Sequence, residues 1–330
     1  MTRRKAVLIS NPMAGGGQSR RESKIARFCD ALIEKGVDVE VAHAKERLSA
    51  SCLVQKAVQN GATDIVIHGG DGTINEALQG LVGLPVRVAV WPGGTANVLA
   101  RELHMPVSPT DAATIIAEGC TKLIYIARAL NEISGYGRYF ILMAGIGLDA
   151  SVVYAVRPGM KRIFGEAAFW YSGLSQLARW RPEKFQVEVA NRKYPATFAV
   201  IGKCSRYGGN LAVTPRARLD EPEFEICIIN STSRLRYMKF LLHSMGNGLD
   251  TDESDVTFLR TARAKVTGNV PVQLDGELVG KLPLAFEIAD WRLEVVVPKM
   301  TLVTPHLVPA NQELRGPLPT LSEPLAGSSL

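Results

Sequence analysis

The chain opens with an apolar run, KAVLIS, that reaches a turn at Asn11-Pro12. The segment SRRESKIARFCDALIEKG follows, with Ile25, Phe28, Cys29, Leu32 and Ile33 at helical spacing up to Gly36. VDVEVAHA alternates as a second strand, LSASCLVQKAVQNG predicts a helix closed by Gly61, and TDIVIHGGDG predicts a third strand running into glycines. INEALQGLV then predicts a helix, RVAVWPGGT a fourth strand, ANVLAREL a helix, and SPTDAATIIAEG another with Ser108 or Thr110 as its cap. Strands alternating with helices in this way predict a parallel sheet covered on both faces.

Beyond about Ile124 the pattern changes. RYFILMAG, KFQVEVA, ATFAVIGK, EFEICIIN, RAKVTG, VPVQLDGE and RLEVVVP are short strands separated by turn residues. In KFQVEVA the residues Phe185, Val187 and Val189 share one face while Gln186 and Glu188 share the other, which predicts a half-solvated antiparallel sheet. Two helices are predicted within this half, over 160–180 and 235–246. The last residues, PHLVPANQELRGPLPTLSEPLAGSSL, carry no periodicity and predict a disordered tail. The expected organisation is an α/β domain over 1–124, a β-rich domain over 125–305 whose last strand can return to the first domain, and a tail over 306–330.

Composition narrows the class. With 330 residues, 46% apolar and 21% charged, the chain has an ordinary globular profile. A chain of this length buries roughly three quarters of the surface of its unfolded form, so no disulfide or structural metal is needed to hold a core. Its 5 cysteines are odd in number and form no CxxC pair, which suits a reducing cytoplasm. The basic N-terminal flank meets Asn11-Pro12 too soon to form a signal-peptide core. No apolar run reaches the length of about 18 residues that a spanning helix needs, so none is expected. The net charge of +6 is uneven: 157–193 holds eight Lys or Arg against three Glu, interleaved with aromatic residues.

The chemistry gathers where strands end. NPMAGGG, GGDGT and PGGT all follow predicted strands, and in an open parallel sheet the carboxyl ends of the strands are where ligands bind. Glycine lets backbone amides approach an anion closely, and the next helix offers unpaired N–H groups and a positive dipole end. One such loop is satisfied by a tight turn alone; three of them at one edge point to phosphate. Neither GxGxxG nor GxxxxGK[ST] occurs. Asp71 among these amides fits if Mg²⁺ or a hydrogen-bond network lies between it and the phosphates.

NPMAGG, HGGDGTINEAL, PGGTANVLARE and the later LDGE stand in the order and approximate spacing of the diacylglycerol kinase catalytic-domain family, which also includes sphingosine and ceramide kinases. The resemblance runs from Arg4 to about Pro298. It implies a Rossmann-like parallel α/β domain, an antiparallel β-sandwich domain, and an active site in the cleft between them. It implies ATP contacts at Asn11, Pro12, Met13, Ala14 and Gly15, at Gly69, Gly70, Asp71, Gly72, Thr73, Ile74 and Asn75, and at Thr95. His43 stands where the family has a nucleotide-contacting threonine.

Asp-Gly is a favoured hairpin turn. In the family the acidic pair around it, here Asp275 and Glu277, faces the GGDGT loop, and one carboxylate is the base for the acceptor hydroxyl. Either residue can be that base, and Asp71 is expected to organise the metal network. The family also holds a structural Mg²⁺ on a P-x-A-x-x-x-D-G-x loop. Here that stretch is 215–223, with Glu221 for the Asp and Pro222 for the Gly, and Arg218, Glu221 and Glu223, beside Asp220, as the expected ligands.

The expected activity is an ATP- and Mg²⁺-dependent transfer of phosphate to a membrane-lipid hydroxyl, of diacylglycerol first and of ceramide or another sphingoid lipid second. NAD kinase shares GGDGT, and a nucleotide-binding membrane regulator is a third reading. Within 160–180, Ile163, Ala167, Trp170, Leu174 and Leu177 form one helical stripe bracketed by Lys161, Arg162, Arg179 and Arg181. The stripe suits either a core face or docking on an anionic membrane, and places the protein at the inner face of the membrane as a peripheral partner. No nucleic-acid module is present. None of these features encodes the oligomeric state, and a homodimer is compatible with all of them.

Overall fold

Every periodic segment of the first half becomes an element of the expected type. The computed structural model describes residues 4–12, 17–44, 49–147, 182–207, 211–233, 235–237, 239–240 and 255–299. The order begins β1 (Lys5–Ser10), α1 (Gln18–Glu34), β2 (Asp38–His43), α2 (Ser49–Gln59), β3 (Asp64–Gly69), α3 (Asp71–Leu81), β4 (Arg87–Pro92), α4 (Val98–Glu102) and α5 (Pro109–Glu118). It continues with β5 (Cys120–Leu130), β6 (Gly137–Phe140), β7 (Met143–Gly147), β8 (Phe185–Val189), β9 (Arg192–Ala196), β10 (Phe198–Gly202), β11 (Arg206–Tyr207) and β12 (Leu211–Ala212). It ends with β13 (Phe224–Ile229), β14 (Val256–Thr261), β15 (Arg263–Thr267), β16 (Pro271–Leu274), β17 (Glu277–Lys281) and β18 (Leu284–Val297).

Strands β2, β1, β3 and β4 lie side by side and parallel. All six positions of β3 are buried, the pattern of a strand covered on both faces. On α1, Ile25, Phe28 and Leu32 form the buried stripe, and Phe28 stacks on Trp91 of β4 at 4.5 Å between ring centroids. The sheet then continues through β18, which runs parallel to β4 at Glu294–Val295, antiparallel to β15 at its other end and antiparallel to β5 along its length. A six-stranded antiparallel sheet, β14-β13-β10-β7-β16-β17, stands opposite. The two share a second core that includes Phe140, Ile146, Phe185, Val187, Ile201, Ile226, Val266 and Phe286, so the fold is a parallel α/β layer joined to an antiparallel sandwich. In β8 the alternation is as expected, with Phe185, Val187 and Val189 buried and Gln186 exposed.

Three details differ from the sequence expectation. RYFILMAG forms two strands, β6 and β7, because at Ile141-Leu142 the backbone leaves its ladder and turns its amides toward a carboxylate described below. Helix α3 starts at Asp71 rather than at Ile74, so most of the GGDGT motif lies in its first turn. The segment CTKLIYIARAL forms β5, a strand that passes through position 124, where the pattern change suggested a boundary. Helical backbone is present at 235–237 and 239–240. The predicted helix 160–180, with its basic aromatic stripe, and the tail lie outside the described residues. Among the described residues no helix is long and apolar enough to cross a membrane.

At the amino edge of the parallel strands, one buried carboxylate joins three elements. Asp64, 1% exposed, accepts from Arg4 Nη2 at 2.8 Å and from Thr63 Oγ1 at 2.7 Å, and pairs with Arg87 Nη2 at 2.6 Å. Arg4 also donates to the carbonyls of Ile116 and Ala117 at the end of α5. Burial raises the Asp64 carboxyl, but the hydrogen bonds from Arg4, Thr63 and Arg87 outweigh it and hold the group below the ordinary Asp value of 3.8. A carboxyl with a depressed folded pKa contributes stability that is fully present above its unfolded value and is lost as pH falls through the folded one. Asp64→Asn is therefore expected to lower stability by about 2–3 kcal/mol at neutral pH, somewhat under the full buried-pair figure because both arginines reach solvent. The difference from wild type should shrink below pH 3.8, which urea unfolding at a series of pH values measures.

Candidate active site

The sheet register brings the glycine segments to one edge. Ser10 pairs with His68 and with His43, and Gly69 pairs with Pro92, so the residues after β1, β3 and β4 emerge together. Asn11 follows β1 and ties the edge inward: its amide N–H donates to the His68 carbonyl at 3.0 Å and its side-chain NH₂ to Thr73 Oγ1 at 2.9 Å. Pro12 lies beside it, its carbonyl accepting from Arg21. Met13, Ala14 and Gly15 lie outside the described residues. His43 ends β2 at the same edge and is exposed.

The β3–α3 and β4–α4 connections touch through their backbones. A Cβ added to Gly94 would lie 2.5 Å from the Gly70 Cα, and one added to Gly70 would lie 3.3 Å from the Gly94 Cα. No side chain fits between them, so here glycine is a steric requirement. Gly93 N–H donates to the Gly69 carbonyl at 3.0 Å, completing the contact. Asn97 adopts a left-handed conformation, φ 48°, and its side chain both accepts from Gly94 N–H and donates to the Gly94 carbonyl at 2.8 Å. That closed ring leaves Gly94 and Thr95 exposed at the edge.

Asp71 is engaged within the protein. Its Oδ2 accepts from Val98 N–H at 3.1 Å and its Oδ1 from Leu99 N–H at 3.2 Å, so it caps α4 and joins the second glycine loop to the third. Of the residues that follow, Gly72 is half-buried whereas Thr73, Ile74 and Asn75 are buried. The amides of Thr73 and Ile74 donate to the Gly70 carbonyl, and the Ile74 side chain packs in the core.

On the other side of the cleft the LDGE segment forms a two-residue hairpin turn between β16 and β17. Asp275 and Gly276 both have positive φ, 49° and 86°, the conformation that an Asp-Gly turn supplies. The Asp275 carboxylate is 7% exposed and receives four N–H groups: Leu142 and Met143 on Oδ1, Ile141 and the Asn75 side chain on Oδ2, all between 2.8 and 2.9 Å. Burial pushes this carboxyl up from the ordinary Asp value, and the backbone donors and Asn75 oppose the shift. Every partner is a donor, so hydrogen bonding fits the ionised form. Asn75 is bound on its other side by Arg138 Nη2 at 2.7 Å, and Gln79 exchanges two hydrogen bonds with the Tyr139 backbone, which stitches α3 to β6.

Glu277 starts β17 just beyond the turn. A Cβ placed on Gly72 would lie 3.4 Å from its Oε1, so this half-buried carboxylate sits directly against the first turn of α3. The structure thus brings Glu277, Asp71, Gly70, Gly72 and Gly94 to one cleft and locks Asp275 and Asn75 behind it. His68 lies behind the loops, stacked 3.9 Å from Trp91, and burial lowers its imidazole to about 4, so it is neutral at physiological pH.

The expected metal loop holds a different cation. The backbone carbonyls of Arg218, Glu221 and Glu223 converge on Lys203 Nζ, at 3.0, 2.6 and 2.7 Å. The carboxylates beside them face outward to other partners: Asp220 to Lys122 and Arg218, Glu221 to Arg218 and Arg260, Glu223 to Arg260. Burial lowers the Lys203 ammonium to about 8, with Glu221 and Asp220 opposing, so it is charged at neutral pH. The donor set expected for Mg²⁺ therefore does not fit a metal in this chain.

Sequence reasoning did not assign Arg138, Gln79, Asn97 or Lys203. Asn97 had a readable signal, since Asn readily adopts the left-handed region. The others act through partners far away in the chain and leave no local pattern.

An α/β layer whose glycine loops face an acidic hairpin on an antiparallel sandwich defines a two-lobed phosphotransferase. Residues 5–129 match the diacylglycerol kinase catalytic domain, and residues 143–297 match the YegS C-terminal NAD kinase beta sandwich-like domain. Residues 5–129 are thus a diacylglycerol kinase catalytic domain, and the chain is a lipid kinase. It is 28% identical to a diacylglycerol kinase of Mycobacterium tuberculosis (strain CDC 1551 / Oshkosh) over 89% of this chain and 96% of the relative. It is likewise 28% identical to one of Staphylococcus aureus (strain bovine RF122 / ET3-1) over 90% of this chain and 93% of the relative. A crystal structure of a diacylglycerol kinase from Bacillus anthracis str. Sterne superposes with a TM-score of 0.71 at 20% identity, covering 91% of this chain and 99% of that one, and so shares the fold.

The Asp275 clamp gives a direct expectation. Asp275→Asn turns an NH₂ toward N–H donors and leaves at least one of them unsatisfied, so thermal unfolding should show a loss of about 2–4 kcal/mol.

Proposed function

We propose that this lipid kinase transfers the γ-phosphate of ATP to a hydroxyl of a membrane lipid, with diacylglycerol the first acceptor and ceramide or another sphingoid lipid the second. The observation that carries this reading is the position of Glu277 Oε1 against Gly72, on the acceptor side of the glycine loops. On this reading residues 1–124 form the nucleotide-binding unit and 125–305 the acceptor unit.

The roles divide by where each group stands. The segments at Asn11, Gly69–Gly72 and Gly93–Thr95 cradle the nucleotide phosphates through backbone amides, with His43 at the rim. Asp71 positions two of these segments against each other through the α4 amides. Asp275 already accepts four hydrogen bonds and has no lone-pair direction left for a substrate proton, so it is a positioning residue. Glu277 is the base: it takes the proton of the acceptor hydroxyl as the oxygen attacks the γ-phosphorus in line. Mg²⁺ arrives with ATP and neutralises phosphate charge. Membrane contact at the inner face, through the basic aromatic segment 157–193, brings the enzyme to its acceptor.

A second reading has one observation in its favour, the likeness of residues 143–297 to an NAD kinase sandwich. NAD therefore belongs in the assay. With γ-labelled ATP and Mg²⁺ in mixed micelles, wild type should label diacylglycerol or a sphingoid lipid and leave NAD unlabelled. Glu277→Gln should reduce that rate about 10²- to 10⁴-fold with an unchanged Tm. Label on NAD, or full activity in Glu277→Gln, would overturn the assignment.

The nucleotide side has its own expectation. Gly94→Ala forces the two glycine loops apart at a cost of about 1–3 kcal/mol, which should weaken nucleotide binding roughly tenfold in titration calorimetry.

A further inference from the structure

A buried ammonium at the centre of three carbonyl oxygens has the form of a small coordination site. Lys203 is 0% exposed and follows β10, where its own N–H donates to the Leu142 carbonyl at 2.8 Å. An ammonium has three N–H donors, and Lys203 Nζ has three carbonyl partners, those of Arg218, Glu221 and Glu223. These belong to the very residues that the P-x-A-x-x-x-D-G-x resemblance marks as ligands of a divalent ion.

The side-chain oxygens of the loop are engaged as well. A hard divalent ion needs six or more oxygen ligands, carboxylates among them. The nearby carboxylates of Asp220, Glu221 and Glu223 are paired instead with Lys122, Arg218 and Arg260. The loop is anchored from its far side as well, since Tyr125 N–H of β5 donates to the Leu219 carbonyl at 2.8 Å.

We infer that the Lys203 ammonium has taken the place of the structural divalent ion, so that loop 215–223 is held to β10 by an internal cation and the chain takes up no metal there. A metal requirement of this kinase is then confined to the nucleotide. This inference concerns the loop alone and stands whether or not the acceptor assignment does.

The test uses the nucleotide-free full chain. Thermal unfolding of wild type should give the same Tm in millimolar Mg²⁺, in millimolar Ca²⁺ and in EDTA. Lys203→Met keeps an unbranched apolar stem, one heavy atom shorter, but leaves three carbonyls unsatisfied, and its Tm should fall by roughly 5 °C or more. A rise in wild-type Tm with either metal overturns the inference, as does a Lys203→Met protein as stable as wild type. If Lys203→Met does not fold, the metal comparison on wild type decides alone.

Discussion

The Asp275 carboxylate, placed by its own hairpin turn, draws N–H groups from two directions: the backbone corner at Ile141, Leu142 and Met143 gives three amides, and Asn75 reaches it from α3. A buried carboxylate without such partners would cost several kcal/mol. The corner exists because those amides leave the sheet ladder to meet the charge, and that is why β6 and β7 are separate strands. The turn carrying Glu277 is held because the residue before Gly276 cannot move without breaking the clamp. Asn75 extends the same contact to the helix whose first turn lies under Glu277. The distance between the acidic hairpin and the glycine loops is thus set by one charge and its donors.

The two edges of the parallel strands have different tasks. At the amino edge, Asp64 with Arg4 and Arg87 closes the layer with opposite charges and seals the end of α5. At the carboxyl edge, contacts run through backbone, Gly70 to Gly94 and Gly69 to Gly93, through the small polar pair Asn11 and Thr73, or through a carboxylate on α4 amides. A site that must receive phosphate gains from having its cross-links made of N–H groups and glycine, since bulky or anionic side chains at the rim would exclude the ligand.

Much of the α/β layer was legible because each of its elements buries a periodic stripe: Ile25, Phe28 and Leu32 on α1, or the unbroken run of β3. The glycine loops were legible because their steric demand is local, and Asp275-Gly276 because an Asp-Gly turn needs no distant partner. What escaped was set by residues far apart in sequence. The break at Ile141-Leu142 follows from a carboxylate at position 275, and β5, absent from the predicted strands, runs along β18 and gives an amide to the loop at Leu219. Motif logic leaves Asp275 and Glu277 interchangeable and gives Asp71 a separate place among the phosphates; their partners make Asp71 a cap and Asp275 a clamp, and set Glu277 against Gly72. The metal loop shows the same limit, because the residue that occupies its centre lies one strand away, at 203.

Asp275 and Lys203 also meet on one residue. Leu142 gives its N–H to the Asp275 carboxylate and receives the Lys203 N–H on its carbonyl, so a buried anion and a buried cation are fixed on either side of one residue. Each charge is satisfied chiefly by backbone: three amides for the carboxylate, three carbonyls for the ammonium. A backbone-satisfied charge needs no flexible side-chain partner and loses little to rotamer entropy, which makes it a rigid anchor. The sandwich side of the site is consequently built around two fixed charges supplied by the chain itself. On this view the replacement of a metal by Lys203 keeps the wall where Glu277 needs it, and makes its position independent of the ion that accompanies the nucleotide.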